Sequence, residues 1–506
     1  MSSVASEVRA DEPPADEGKP TLRRVVRWAN RPVVAIVAVG LIAGVLRFWN
    51  LDYPPGYVFD EVYYAKSACI FLNYSNERCD IDSDDEEFWR DDKGDTGAWV
   101  HPPLGKWMIA GGEAIFGTDS FGWRFPPALF GTATVMLLAL IAQLLFRSPI
   151  WTFTTGLLAA TESLLFVHSR IAMLDGLVAF WIVLAFAMAL LDRRWIDRRT
   201  PVAAEPDDPP EEPPTRAPVR VLSPLFRPWR IATGIALGAA VATKWSGLTA
   251  VAGVIALELW WEVDRRRKAG LPFRRAMWRT VVFEGFPIVL FLVLLPAAVY
   301  AASYVGWFLQ FGWDLGAWGR LQEAIWDYHR TLKWTNDKGE PIHPYLSEAW
   351  KWILLARPVL YFARYAPEGE DWRRVIYANG NPAIFWGSVV AMPYLVYAWW
   401  RKRDWRAAFV GLAIAALYLP WLIISRPQFL FYVVPIAPFL VLACVYVIRD
   451  LSELRVAGSR SRPYLPVAIG FVVVSVSVFA WFWPVLTGGP LSGADWGLRA
   501  WFPSWV

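Results

Sequence analysis

Residues 465–486 read LPVAIGFVVVSVSVFAWFWPVL, a run of 22 residues without a charged side chain. A helix of that length rises about 33 Å, which matches the hydrocarbon thickness of a bilayer. Similar runs recur along the 506 residues, of which 56% are hydrophobic and only 19% charged, whereas roughly a quarter of the residues in a soluble protein are charged. The sequence therefore predicts an all-α polytopic membrane protein.

Eleven stretches are long and apolar enough to be interpreted as transmembrane helices. They lie near 33–48, 125–146, 151–167, 171–191, 231–247, 248–262, 280–303, 383–400, 407–424, 429–448 and 465–486. We interpret 231–262 as two short spans with a turn at Trp245–Gly247, although one long tilted helix is the alternative. Leu104–Phe116 is apolar but too short to cross, and it is predicted to be a helix lying in the membrane surface.

Basic clusters fix the predicted orientation. They follow the fourth, sixth, eighth and tenth stretches, and the positive-inside rule places such clusters in the cytoplasm. The N-terminus is then inside and the C-terminus outside, with two large extracytoplasmic loops. The predicted organisation is a disordered cytoplasmic tail (1–30), an N-terminal transmembrane part (31–303) with an outward loop (50–104) and a disordered cytoplasmic insert (198–222), a second outward loop (304–382) and a C-terminal transmembrane part (383–506).

An acidic pair follows the first predicted span. Asp60 and Glu61 stand in LDYPPGYVFDEVYYAKSACIF (51–71), with aromatic and apolar residues on both sides. Burial and a neighbouring like charge raise the pKa of a carboxylate, which turns it into a usable base near neutral pH. A second interpretation stays open, in which Asp60 caps a short helix and Glu61 lies in its first turn.

The rest of the first outward loop is acidic. Its D-x-D-x-D-D-E-E run (80–87) lacks the glycine and the spaced glutamate of an EF-hand loop, so a solvated loop is favoured over a calcium site. Cys69 and Cys79 share this oxidising side of the membrane and are candidates for a disulfide.

Four basic residues stand where the positive-inside bias does not require them. Lys106, Arg124, Lys244 and Arg426 are all assigned to the outward side. Each one alone is explained by snorkelling or by pairing with a nearby carboxylate, for which Asp175 is a candidate as well as the acidic pair. Together, opposite two partly buried acids, they indicate a cradle for an anion such as a phosphate at the membrane surface.

Several classes of protein have no support in the sequence. The net charge of +4 gives no reason to expect nucleic acid as a partner. The four histidines show no metal-ligand spacing, and there is no phosphate-binding P-loop, dinucleotide fingerprint or serine-hydrolase elbow in a suitable context. No metal site is predicted.

The motifs resemble those of protein O-mannosyltransferases, and the chain is similar to actinobacterial members of that family. The resemblance covers about 30–486 and rests on the order of several strings. After Asp60–Glu61 these are HPPLGK (101–106), WRFPPALFGT (123–132), SRIAMLDG (169–176), TKWSG (243–247), HPYLSEAWKWILLARP (343–358) and RPQFLFYVVPIAPF (426–439). One departure is that the second outward loop has no room for the β-trefoil domain of eukaryotic members.

The resemblance implies a membrane glycosyltransferase of the GT-C class, which transfers mannose from a polyprenyl-phosphate donor to Ser or Thr hydroxyls of translocated proteins. It implies that Asp60 is the catalytic base and that Glu61 helps to orient the site. The positions implied for the donor phosphate are Arg124, Lys244, Arg426, Gln428 and Tyr432, and the further candidates for lining the cleft are His101, Lys106 and Asp175.

The chemistry is consistent with these roles. A hydroxyl needs a carboxylate to take its proton, whereas a departing phosphate needs fixed cations and no general acid. One base with a cationic cradle suits a single displacement with inversion. No cofactor is required for this chemistry, and the use of a divalent cation stays open.

Two alternatives remain at this stage. One is another lipid-linked GT-C enzyme, which transfers aminoarabinose or arabinofuranose; the other is a transporter or flippase with Asp175, Lys244 and Arg426 along its path. The expected partners are the lipid donor, a secreted polypeptide acceptor, membrane lipids and the Sec translocon. The expected location is the bacterial plasma membrane, with the active site on the extracytoplasmic side.

Overall fold

The computed structural model describes residues 31–82, 100–199, 225, 227–455 and 461–505. The predicted tail 1–30, nearly all of the predicted insert 198–222 and most of the acidic run in the first loop lie outside these residues.

Helices account for most of the N-terminal part. They are α1 (Pro32–Phe48), α2 (Glu61–Phe71), α3 (Leu104–Phe116), α4 (Ser120–Phe146), α5 (Pro149–Ala160), α6 (Ser163–His168), α7 (Leu174–Arg199), α8 (Pro228–Thr243), α9 (Gly247–Lys268) and α10 (Phe273–Ser303, with a π-helical turn at Leu290–Leu294).

The described C-terminal part adds further helices of different lengths and three strands. These elements are α11 (Val305–Phe311), α12 (Leu315–Thr331), α13 (Ala349–Trp352), β1 (Val359–Tyr365), β2 (Arg373–Ala378), α14 (Pro382–Lys402), α15 (Trp405–Tyr418), α16 (Ala437–Glu453), α17 (Leu465–Thr487), β3 (Pro490–Leu491) and α18 (Gly493–Gly497).

A helix lies on each of the eleven predicted stretches. Within the described ranges, six helical segments are long and apolar enough to cross a membrane by length and composition, and α1 is a shorter apolar helix. A multi-pass membrane protein is therefore confirmed, while the number of spans and their orientation stay predictions. Residues 231–262 form two helices, as predicted, because the chain leaves α8 at Lys244 in an extended conformation and α9 begins at Gly247.

The all-α prediction is wrong in one detail. β1 and β2, which precede α14, form a small antiparallel sheet with β3, which follows α17; the order is β1-β2-β3, Val359 pairs with Ala378, and Arg373 pairs with both Tyr365 and Leu491. The sequence VLYFARY of β1 is rich in aromatic and β-branched residues, which favour strands. The segments were too short to stand out beside the hydrophobic spans.

The centre of the molecule is α7, which packs against α4 and α8. Most of its apolar stretch is buried inside the protein, whereas α10 and α17 leave most of theirs exposed. Exposed apolar side chains are expected where helices meet lipid. This arrangement brings the start of α7 and the end of α8 close to the loop that follows α1.

A disulfide joins Cys69 and Cys79, which confirms the predicted pairing. It connects the last turn of α2 to the loop that follows. Leu104–Phe116 is a helix with the predicted bounds, and its position in a membrane surface stays a prediction.

Candidate active site

The loop between α1 and α2 is held by two buried arginines from distant motifs. Arg170 donates to the carbonyl oxygens of Arg47, Trp49 and Asn50 at 2.6–3.0 Å, and so fixes the end of α1. Arg124 donates to the carbonyl oxygens of Pro54 at 2.7 Å and Gly56 at 2.9 Å. Apart from the Arg47 carbonyl in the last turn of α1, these carbonyls lie in an irregular segment and have no helix or strand to satisfy them, so the guanidinium groups define the loop conformation.

Glu61 completes this clamp. Its two carboxylate oxygens accept hydrogen bonds from Nε and Nη2 of Arg124, each at 2.8 Å, in a bidentate pair that is fully buried. The same carboxylate accepts from the backbone N–H groups of Val58 and Ala172, both at 2.8 Å. Four donors thus surround Glu61, which suits a structural anion far better than a proton acceptor.

Asp60 differs from Glu61 in its hydrogen-bond contacts. It occupies the N-cap position of α2, but its side chain makes no capping hydrogen bond. Within the described part of the chain, no group donates a hydrogen bond to its half-buried carboxylate. Burial raises the pKa of Asp60 to about 7; Lys244 opposes this rise and Asp175 adds to it. The like charge that acts on Asp60 is therefore Asp175, because Glu61 is neutralised by Arg124.

The residue before Asp60 is in a strained conformation. Phe59 has a φ of +54°, a left-handed value that a bulky residue adopts only when its surroundings impose it. Its ring stacks on Tyr361 of β1 at 4.4 Å and meets Phe431 edge-on at 5.9 Å. Tyr361 is fixed in turn by a 3.0 Å hydrogen bond between its hydroxyl and Nε2 of His168. Strand β1 thus helps to set the direction of the Asp60 backbone.

Asp175 and Lys244 form a buried ion pair. The Lys244 ammonium donates to both carboxylate oxygens of Asp175 at 2.8 Å. Lys244 follows the last residue of α8, and Asp175 lies in the first turn of α7. The ammonium also lies 4.9 Å from the centre of the Tyr432 ring, within range of a cation–π contact.

Arg426 has no carboxylate at ion-pair distance within the described part of the chain. Its Nη1 donates to Nδ1 of His329 at 2.9 Å, and its Nη2 donates to the Tyr432 hydroxyl at 3.3 Å. Nε2 of His329 contacts the carbonyl oxygen of Val100 at 3.0 Å. Burial and the Arg426 charge lower the pKa of His329 to about 4, so its imidazole is neutral at physiological pH.

A cavity of about 460 Å³ brings these groups together. Lys244, Arg426, Tyr432, His329 and His101 line it. Apolar side chains such as Leu248, Ile423 and Ile424 line another part, and all three are exposed at the protein surface. The volume lies within the usual range of ligand sites, and the combination of a cationic end with an apolar wall suits an amphiphilic anion.

The predicted residues thus separate into three groups. Lys244, Arg426, Tyr432 and His101 line the cavity, and Asp60 lies within electrostatic range of Lys244. Arg124 and Gln428 do not line it. Arg124 is saturated by Glu61 and the loop carbonyls, and Gln428 donates to the carbonyl oxygens of Trp421 and Ile424 and accepts from the Ala349 N–H. Both have structural contacts where phosphate contacts were expected. Lys106, like His101, lines a second cavity of about 380 Å³.

His329 was not among the site residues predicted from the sequence. Its string WDYHRTL carries no motif, and its partner Arg426 lies 97 residues away. The available signal was a polar residue on the amphipathic helix α12, in a loop that is predicted to face outward. No group of three or more His, Cys, Asp or Glu residues with metal-site geometry occurs among the residues that the structure describes.

Two family models match the chain. The model for dolichyl-phosphate-mannose-protein mannosyltransferase matches residues 37–200 and 224–308, and the model for the C-terminal four-transmembrane region of protein O-mannosyltransferase matches 315–505. The chain is 35% identical to the polyprenol-phosphate-mannose–protein mannosyltransferase of Mycobacterium tuberculosis, over 92% of this chain and 90% of that protein. It is 29% identical to the enzyme of that name from Corynebacterium glutamicum, over 81% of this chain and 82% of that protein.

Solved structures agree with this fold. The protein O-mannosyltransferase Pmt1–Pmt2 complex of S. cerevisiae, bound to the sugar donor, superposes with a TM-score of 0.71 over 96% of this chain and 94% of that one, at 14% identity. ArnT from Cupriavidus metallidurans, bound to undecaprenyl phosphate, gives a TM-score of 0.50 over 93% and 77%, at 15% identity. At these identities the likeness concerns the fold alone, and it is the fold of GT-C membrane glycosyltransferases.

Proposed function

The chain belongs to the protein O-mannosyltransferase family, and from this premise we propose that it transfers mannose from a polyprenyl-phosphate donor to Ser or Thr hydroxyls of protein acceptors. The observation that carries the mechanism is the contrast at residues 60 and 61. Asp60 has a carboxylate with no hydrogen-bond donor among the described residues and a pKa of about 7, close to the cationic cavity.

Asp60 is the proposed base. The acceptor oxygen attacks C1 of mannose while Asp60 takes the hydroxyl proton, and the bond between C1 and the phosphate oxygen breaks. A base is most effective when its pKa lies near the working pH, because it is then largely ionised and still binds a proton well. The displacement inverts the configuration at C1, from a β-linked donor to an α-mannoside.

Lys244 and Arg426 are the proposed partners of the leaving phosphate. Negative charge grows on the phosphate as the C1–oxygen bond breaks, and fixed cations in a partly dry site stabilise that charge without reorganisation. Tyr432 lies between the two cations and contributes a hydroxyl. The apolar wall that includes Ile423 and Leu248 is the proposed path of the first isoprene units.

Glu61 and Arg124 act as positioning residues in this proposal. Their pair shapes the loop from residue 54 to residue 61, and so determines where the Asp60 carboxylate points. This assignment keeps the predicted orienting role of Glu61 and moves Arg124 from the phosphate to the loop.

The proposed topology has eleven spans, a cytoplasmic N-terminus and the site on the extracytoplasmic side of a bacterial plasma membrane. The basic clusters support that orientation. Delivery of the acceptor by the Sec translocon stays a prediction. The mannosyltransferase family favours mannose over the sugars of the other GT-C enzymes considered.

The test uses membranes that contain the full chain, a polyprenyl-phosphate donor with labelled mannose and a peptide rich in Ser, Thr and Pro. Asp60→Asn should lower the transfer rate by roughly 10²–10⁴-fold, the usual contribution of a general base, with normal insertion. Asp52→Asn is the matched control, since Asp52 is an exposed carboxylate in the same loop. Unchanged transfer in Asp60→Asn would remove this residue from the mechanism. Labelled product from a different sugar donor, in place of mannose transfer, would refute the proposal that mannose is the transferred sugar.

A further inference from the structure

The cavity holds its two cations in different ways. Both carboxylate oxygens of Asp175 bind Lys244, so that pair carries no net charge. Within the described residues, Arg426 has no carboxylate at ion-pair distance, and its polar contacts are His329 and Tyr432. Arg426 is therefore the main source of net positive charge at the cationic end of the cavity.

The partner of Arg426 must be neutral. A guanidinium only donates hydrogen bonds, so Nδ1 of His329 accepts with its lone pair. The proton of the neutral ring then resides on Nε2, which donates to the Val100 carbonyl oxygen at 3.0 Å. Both ring nitrogens are satisfied in this one tautomer. Protonation of Nδ1 would break the contact with Arg426 and add a repulsive charge beside it.

Neutrality matters for an anion site. A carboxylate at this place would hold the guanidinium equally firmly, but it would cancel the charge that the phosphate needs. An imidazole held by a backbone carbonyl restrains the arginine and leaves its charge intact. Restraint before binding lowers the entropic cost of ordering a long side chain on the ligand.

We propose that His329 is a positioning residue for the donor phosphate, which restrains Arg426 through an uncharged nitrogen so that the guanidinium keeps its full charge for the ligand. The inference rests on the proposed function, because it assumes that this cavity takes a polyprenyl phosphate. It also joins the end of the first outward loop, at Val100, to the phosphate contact through a single side chain.

Three substitutions at one position separate restraint from charge. In His329→Gln, the amide oxygen accepts from Arg426 while the amide nitrogen donates to Val100, so both bonds and neutrality persist. His329→Glu keeps an acceptor for Arg426 but adds a negative charge. His329→Ala removes the restraint. Glu323→Gln is the matched control, because Glu323 is exposed on the same helix.

The readout is binding of undecaprenyl phosphate to the purified full chain in detergent, followed by tryptophan fluorescence. Trp245, Trp326 and Trp421 line the cavity, so occupancy should change the emission. Undecaprenol, which lacks the phosphate, and inorganic phosphate, which lacks the lipid, show how much each part contributes. The Michaelis constants for donor and acceptor are measured in parallel.

We expect His329→Ala to weaken binding of the phosphate lipid roughly tenfold or more, as for a lost hydrogen bond to a charged group. His329→Glu should weaken it at least as much, whereas His329→Gln and the control should stay within about threefold of the wild type. The acceptor KM should not change, and undecaprenol binding should be the same in all variants.

Each contrary result has a distinct meaning. Wild-type binding in His329→Ala would show that the restraint has no effect, and wild-type binding in His329→Glu would show that neutrality is irrelevant. Equal losses in His329→Gln and His329→Ala would show that the imidazole itself is required. Any of the three overturns the inference. A wild-type chain that binds undecaprenyl phosphate no better than undecaprenol would instead refute the proposed donor site.

Discussion

Two charge clusters lie at different heights along α7, and among the described residues only one of them contains charges without a counterion. The site cluster consists of Asp60, Glu61, Arg124, Asp175, Lys244 and Arg426. The distal cluster consists of Asp192, Arg227, Arg230, Glu258, Glu262 and Glu284. Asp175 and Asp192 belong to α7, and the helical rise separates them by about 26 Å.

In the distal cluster every carboxylate has an arginine. Arg227 pairs with Asp192, Glu262 and Glu284, and Arg230 pairs with Glu258 at 2.7 Å and Glu284 at 2.9 Å. Such pairing is the usual requirement for charges that are removed from water. The site cluster also contains two such pairs, Glu61–Arg124 and Asp175–Lys244. It adds one carboxylate and one guanidinium group that lack a counterion among the described residues. These two residues, Asp60 and Arg426, both take part in the proposed chemistry, together with the paired Lys244.

The largest effect on stability is expected from Arg124→Met. Glu61 would stay buried without a cation, and breaking a buried pair in this way costs roughly 3–5 kcal/mol. The unfolding temperature in detergent should fall sharply and transfer should be lost with it. Arg147→Met, at an exposed arginine directly after the last residue of α4, is the control. A normal unfolding temperature in Arg124→Met would contradict the structural role.

Arg230→Met should also destabilise the protein by roughly 3–5 kcal/mol, because Glu258 loses its partner. The double variant with Glu258→Met should recover much of that loss, since apolar residues can replace a buried pair. The folded double variant should show an unchanged Michaelis constant for the donor. A raised donor KM in the double variant would mean that the distal cluster contributes to the site.

Arg426→Gln should show the opposite behaviour. Because none of the carboxylates that the structure describes pairs with Arg426, the stability of the protein should change by less than about 1 kcal/mol. The donor KM should rise roughly tenfold or more while the acceptor KM stays constant, because a cation that meets the phosphate is lost. Steady-state assays with either substrate varied would test this, and a change confined to the acceptor KM would refute it.

The pH dependence gives the smallest and most specific effect. The ionised form of Asp60 is the base, and its pKa is about 7, so kcat/KM should fall as the pH drops through 7. Lys244 lowers that pKa. Lys244→Gln should therefore move this acidic limb of the pH–kcat/KM profile to higher pH by up to about one unit. Lys333→Gln, at an exposed lysine, should leave the limb in place. A limb that does not move would exclude coupling between Asp60 and Lys244.

Much of the architecture could be predicted from local sequence, because hydrophobic runs must form helices wherever they meet a membrane. That holds for 465–486, for the break after Lys244 and for the helix at 104–116. The strands at 359–365 and 373–378 were missed because short amphipathic segments carry a weak local signal beside long apolar ones.

The site was only partly predictable. The acids and four of the cavity residues were found through motifs, yet neighbouring carboxylates at 60 and 61 look alike in the sequence. Their difference comes from Arg124 and the Ala172 N–H, which lie 63 and 111 residues further along the chain than Glu61. Arg124, which the sequence assigned to the phosphate, contacts the loop instead. Its partners there are likewise distant in sequence.

The sequence by itself determined that this chain is a multi-pass helical membrane protein with an acidic pair next to its first helix, because apolar runs and charge placement act locally. Only the tertiary structure decided which acid is clamped and which is left without a donor, and that a histidine from α12 restrains the arginine of the cavity. Counterions are assigned by proximity in space, and proximity between residues a hundred positions apart exists only once the helices have packed.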